Sequence, residues 1–88
     1  MSRPLTSAQI RAARALLRWS AEDLAARSLL SVATIRRAEL TDAETSMTAA
    51  NDLAVRRAFE AADVIFIDEN GDGPGVRLRK RSKEKSRR

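Results

Sequence analysis

Two adjacent arginines, Arg36 and Arg37, follow a run of small side chains. A guanidinium group carries a planar fork of donors that matches a phosphate or the O6 and N7 atoms of guanine. The preceding residues 31–34 read Ser-Val-Ala-Thr, so no bulky side chain keeps this segment away from a ligand. Taken alone, the two arginines indicate no more than a solvated helix face. Their position in the chain is what favours ligand binding.

The elements that must position these arginines are predicted from three helix starts with a common pattern. In each, an apolar residue precedes a hydroxyl residue, Thr6, Ser20 or Ser31, and a polar residue follows three positions later. A hydroxyl at this position caps the first free backbone amides of a helix. With the apolar periodicity, this pattern predicts helices over residues 7–18, 21–28, 32–40 and about 48–62. The runs 64–67 and 76–79, separated by turn residues, predict a β-hairpin.

Residues 19–39 therefore predict two short helices joined by a tight turn, the second opening with small side chains and then presenting its arginines. This layout is typical of a helix-turn-helix unit whose second helix enters the major groove of DNA.

Residues 10–66 resemble the Cro/CI-type, or xenobiotic-response-element-type, helix-turn-helix regulators. The matching motifs are WSAEDLA at 19–25, SLLS at 28–31, Thr34-Ile35 with Glu39, and AFEAADV at 58–64. The strand and charge patterns predict a C-terminal β-hairpin and a basic disordered tail, and the resemblance implies a mainly α, lambda-repressor-like domain of four to five helices. It also implies binding of double-stranded DNA as a homodimer on an inverted repeat.

Three sets of residues are expected to carry this function. The DNA contacts are Ser20, Ala21, Arg27, Ser31, Val32, Ala33, Thr34, Arg36 and Arg37. The resemblance implies a structural ion pair between Arg14 and Glu39. The homodimer interface is expected to use Val55, Phe59, Ile65, Phe66, Ile67, Val76 and Leu78.

Two residues depart from the family pattern. Leu29 stands where the turn usually has glycine, so either the turn differs or packing of Leu29 offsets a strain of about 1 kcal/mol. Ala21 stands where the family usually has a glutamine that contacts DNA, which removes one anchor.

Composition limits the alternatives. The 88-residue chain has no cysteine and no histidine, so disulfides and thiolate or imidazole metal sites are excluded, and no cofactor or metal is expected. The carboxylates form no recognisable acid–base pair, so an enzyme is not expected. With no apolar run of membrane-spanning length, we expect a cytoplasmic protein and no membrane partner.

The net charge of +5 is unevenly distributed, because residues 77–88 hold eight basic groups and one acidic group. We expect a DNA-binding domain over 1–63, a dimerisation hairpin over 64–80 and a basic tail over 81–88 that contacts phosphates. The alternative is a protein-interaction module of the same fold, such as an antitoxin or anti-activator, with weak DNA binding and a regulatory protein as partner.

Overall fold

The computed structural model describes residues 4–41 and 44–79. They form four helices and a two-stranded antiparallel hairpin, which confirms the prediction of a mainly helical fold with a C-terminal hairpin. The elements are α1 (Ser7–Leu17), α2 (Ala21–Ser28), α3 (Val32–Ala38), α4 (Ala49–Ala61), β1 (Val64–Ile67) and β2 (Gly75–Leu78). Residues 81–88, predicted as a basic tail, lie outside the described residues.

Each helix begins at a hydroxyl cap. Thr6, Ser20, Ser31 and Thr48 accept a hydrogen bond from the amide three residues later. Reciprocal capping boxes form at α1 and α2. Three helices end earlier than predicted, α4 by one residue at Ala61. α1 stops at Leu17 because Arg18 adopts a left-handed conformation, and α3 stops at Ala38 because Glu39 leaves helical geometry.

A row of three aromatic rings joins the elements around the core. The rings of Trp19 and Phe59 are stacked with centroids 5.5 Å apart, and Phe66 meets Phe59 edge-on at 5.8 Å. An arginine covers each end of the row, Arg27 over Trp19 and Arg56 over Phe66. Such pairs stabilise a fold beyond the area they bury.

Two residues expected at the dimer interface belong to this core instead. The side chains of Val55 and Phe59 are fully buried within the chain, because the inward face of α4 packs against α2 and the hairpin. Their assignment to an interface was therefore wrong. Leu16 of α1 is 41% exposed.

The hairpin packs one face on the helices. Val64 pairs with Leu78 and Phe66 with Val76, and Val64, Phe66 and Val76 contact the core. Because side chains alternate along a strand, Ile65 and Ile67 point to the opposite face. Both are half-buried.

One buried amide ties the hairpin to α1. The Gln9 Oε1 atom accepts from the amide of Thr6, and its Nε2 atom donates to the carbonyls of Ile67 (3.3 Å) and Gly75 (3.0 Å). The same side chain thus completes the α1 cap and holds the strand pair at the end next to its connecting loop.

A second polar link fixes the segment before α1. The Asp52 carboxylate accepts from the amide of Leu5 at 2.9 Å and from Nε of Arg56 at 3.1 Å. The Leu5 carbonyl accepts from the amide of Thr45. Across the described ranges, no helix combines the length and apolar character that crossing a membrane requires.

Candidate nucleic-acid interface

The turn between α2 and α3 is tight and left-handed at Leu29. This residue has φ 63° and ψ 31°, and the amides of Leu29 and Leu30 both donate to the carbonyl of Ala25. The Leu29 side chain is 90% exposed. The turn therefore adopts a left-handed conformation without glycine. Of the two alternatives for Leu29, packing of the side chain does not offset the strain, because the side chain packs against almost nothing.

α3 lies against the domain through Ile35 and Ala38, which are buried. Its opposite side exposes Ala33, Arg36 and Arg37, with Ser31 exposed at the cap and Val32 and Thr34 half-buried at the edges. The spacing of the exposed residues places them on one helix face. We call the residues Ala33, Arg36, Arg37 and the following Leu40 the α3 stripe.

The two arginines of the stripe differ in their surroundings. Arg36 forms an ion pair with Glu22 of α2, with 2.7 Å between Nη2 and Oε2, and both side chains are 61% exposed. An exposed pair of this kind contributes about 0–1 kcal/mol. The Arg37 side chain makes no hydrogen bond or ion pair with another residue in the ranges 4–41 and 44–79. Its guanidinium group is therefore ready to bind without breaking a contact.

A bidentate ion pair fixes the end of α3 against α1. Arg14 donates from Nε to Glu39 Oε2 at 2.7 Å and from Nη2 to Oε1 at 2.8 Å. Its Nη1 atom also donates to the carbonyl of Trp19, just before α2. The hydrogen bond with Glu39 raises the pKa of Arg14, while partial burial opposes the rise. Arg14 thus connects α1, the start of α2 and the end of α3.

Sequence reasoning missed two further contacts at this junction. Arg11 donates from Nη1 to the carbonyl of Glu39 at 2.6 Å, and the buried Ser7 hydroxyl bonds the carbonyl of Ala38. Ser7, Arg11 and Arg14 are spaced four and three residues apart, which places them on one face of α1. That spacing was the available signal, because polar side chains on one face beside an apolar stripe often mark a contact with another element.

The start of α2 differs from what the resemblance implies. Ala21 is buried, so its side chain does not reach the surface, and the expected DNA contact at this position stays a prediction. The Ser20 hydroxyl accepts from the amide of Asp23, whose carboxylate accepts from the amide of Ser20. This cap lowers the pKa of Asp23, first through the Ser20 amide and then through the hydroxyl. With Glu22, the exposed surface here carries two carboxylates.

Arg27, another expected DNA contact, lies over Trp19 with its guanidinium carbon 4.8 Å from the ring centroid. A stacked guanidinium keeps its N–H groups available at the edge, so this position is compatible with phosphate contact but shows none.

A polar depression lies beside Arg37, between α3 and the start of α4. Its volume is about 170 Å³, and it is lined by Thr34, Arg37, Ala38, Ser46, Met47, Thr48 and Asn51. Three hydroxyls and an amide are thus placed next to the Arg37 guanidinium.

The loop between the strands is organised by its own residues. The Glu69 carboxylate accepts from the amides of Gly71 and Gly73, both of which have positive φ. Within residues 4–41 and 44–79, no group of three or more acidic side chains is placed to hold a metal ion.

No protein-family model matches the chain, and no curated protein is detectably similar to it.

Proposed function

We propose that this protein is a sequence-specific, double-stranded-DNA-binding transcriptional regulator of the Cro/CI-type helix-turn-helix class. In this proposal α2 and α3 form the helix-turn-helix unit, and α3 enters the major groove. The protein acts in the cytoplasm on inverted-repeat operators, as a homodimer.

The observation that carries this proposal is the α3 stripe on a fixed helix. Arg14, Arg11 and Ser7 hold the end of α3, and Ser31 caps its start. An α-helix with its side chains is about 10–12 Å across, which fits a major groove about 12 Å wide. A small residue, Ala33, permits close approach, and an arginine can bind guanine through both O6 and N7.

Electrostatics support a polyanionic partner for this face. Arg37 has no acidic partner among the described residues, and the Glu22–Arg36 pair is weak enough to exchange for a guanine or a phosphate. The polar depression beside Arg37 offers hydroxyl and amide groups to a backbone phosphate. The basic residues after β2 add sequence-independent attraction.

Dimerisation supplies the sequence specificity that one short helix lacks. A single α3 contacts only a few base pairs, so useful specificity requires two half-sites about one helical turn apart. The outer face of the hairpin, with Ile65 and Ile67, is the proposed interface now that Val55 and Phe59 are known to be core residues.

Selection from a random duplex library tests the proposal. We expect the purified protein to enrich an inverted repeat, with half-site centres separated by about ten base pairs. Library members bound by an Arg36→Ala, Arg37→Ala double variant serve as the background control. Absence of any enriched sequence at moderate salt would contradict the proposal.

The start of α2 favours a second candidate, a protein-interaction module of the same fold. At the start of α2, the exposed Glu22 and Asp23 carboxylates lie where a DNA-binding helix would approach phosphates. Ala21 offers no polar side chain at the same place. A protein with a basic surface would suit these acids. Retention on immobilised random DNA at low salt distinguishes the two, since this candidate predicts no retention once residues 80–88 are removed.

A further inference from the structure

The α3 stripe ends on an apolar side chain that the proposed base contacts do not use. After α3, the amide of Glu39 donates to the carbonyl of Arg36, and the amide of Leu40 donates to the carbonyl of Arg37 at 3.3 Å. These bonds continue the helix by a tighter turn, which keeps Leu40 on the side of Ala33, Arg36 and Arg37. Leu40 is 80% exposed there.

Single exposed leucines are common and by themselves indicate nothing. Leu40 differs because of its neighbours on the stripe. Two guanidinium groups lie between a methyl group at Ala33 and the larger apolar side chain at Leu40. A surface that complements this order must present hydrogen-bond acceptors flanked by apolar groups.

The major-groove edge of DNA has this composition. Guanine presents two acceptors, and thymine presents a C5 methyl group. The cations favour this polyanion over a neutral apolar partner, because Arg37 has no partner within the described residues and Arg36 has only an exposed one.

We propose that Leu40 is a specificity-determining residue that packs on the C5 methyl group of a thymine at one end of each half-site. This inference rests on the proposed function, since it requires α3 to lie in the major groove. Leu40 follows Ala33 by seven residues, which corresponds to about 10 Å along a helix axis. At 3.4 Å per base pair, the thymine lies about three base pairs from the base beside Ala33.

Leu29 is more exposed than Leu40 but is not assigned this role. It belongs to the turn before the α3 cap, and its position does not continue the stripe. Leu16, exposed on α1, provides a matched leucine on another element.

The test replaces each operator thymine in turn with deoxyuridine, which removes only the C5 methyl group. In the selected operator, we expect one symmetric pair of thymines at which the wild-type protein loses about fourfold in affinity per half-site, the value for burying about one methyl group. The Leu40→Ala variant should bind the thymine and deoxyuridine operators equally well. The Leu16→Ala variant should lose as much affinity as the wild type when the thymine is replaced with deoxyuridine.

The outcomes separate this inference from the proposed function. If selection enriches no sequence, both fail. If an operator is enriched but Leu40→Ala retains the full deoxyuridine effect, or no thymine shows one, the role of Leu40 is refuted while the function stands. If Leu40→Ala leaves operator affinity unchanged, Leu40 does not contact DNA and a protein partner becomes the better assignment. Circular dichroism and the thermal midpoint of the variant confirm that the fold is retained.

Discussion

At the scale of single residues, Leu29 destabilises the fold slightly in two ways. It has a positive φ, and its large apolar side chain is almost fully exposed. Glycine adopts this conformation without steric penalty. We predict that Leu29→Gly raises the free energy of unfolding by about 0.5–1 kcal/mol, although glycine adds some entropy to the unfolded chain. Urea titration measures the change. Leu29→Ala keeps the strain and should give no gain, so equal stabilisation by both variants would refute the strain argument.

Glu22 is predicted to oppose DNA binding. It holds Arg36 in an exposed ion pair and would place a negative charge near phosphates. Glu22→Gln removes that charge and frees Arg36, so we expect affinity to rise severalfold, by about 0.5–1 kcal/mol, for operator and random duplexes alike. Fluorescence anisotropy at several salt concentrations measures it. Glu60→Gln, an exposed change on α4, is the charge-matched control. A rise of the same size in that control would show a general charge effect without involvement of Arg36.

At the scale of the elements, the α2 cap gives a pH dependence of known sign. Hydrogen bonds from Ser20 lower the pKa of Asp23 in the folded protein. A lowered folded pKa means that the stabilisation is fully present above the ordinary Asp value of about 3.9 and is lost as the pH falls through the lower folded value. We therefore predict that wild type exceeds Asp23→Asn in stability above about pH 5, and that the difference shrinks on acidification. Urea unfolding between pH 2 and pH 7 measures it, and a difference independent of pH would contradict the assignment.

The elements also show what the sequence reveals and what it does not. The hydroxyl caps place the helix starts to within a residue, because capping depends on a local pattern. Burial is harder to predict, since it depends on which neighbours surround a face. Val55 and Phe59 have the spacing of an apolar stripe, but only the packed structure shows that α2 and the hairpin cover it.

The candidate site, too, can be predicted from the sequence only in part. The exposed arginines of α3 follow from its periodicity, whereas the pairing of Arg36 with Glu22 joins residues fourteen positions apart. The contact of Arg11 with the Glu39 carbonyl spans twenty-eight positions. Neither contact follows from helix spacing alone, because both depend on how separate helices pack.

At the scale of the whole molecule, the outer face of the hairpin is predicted to join two copies of the chain. Ile65→Asp should give a monomer at micromolar concentration while leaving the fold intact, because Ile65 lies opposite the core-facing residues Val64 and Phe66. Sedimentation velocity of the wild type and the variant measures this. Leu16→Asp on α1 is the control. Dissociation caused by that control and not by Ile65→Asp would move the interface away from the hairpin.

The central claim, that the exposed face of α3 reads DNA sequence, is tested most directly by the ratio of affinities for an operator and a scrambled duplex. Arg37→Ala should reduce the free-energy difference that corresponds to this ratio by about 1–3 kcal/mol, because Arg37 lies on the α3 stripe and its side chain has no partner to release among the described residues. Arg57→Ala removes the same charge from the exposed surface of α4 and should lower both affinities only slightly while leaving their ratio unchanged. An unchanged ratio in Arg37→Ala, or an equal loss in both variants, would contradict the claim.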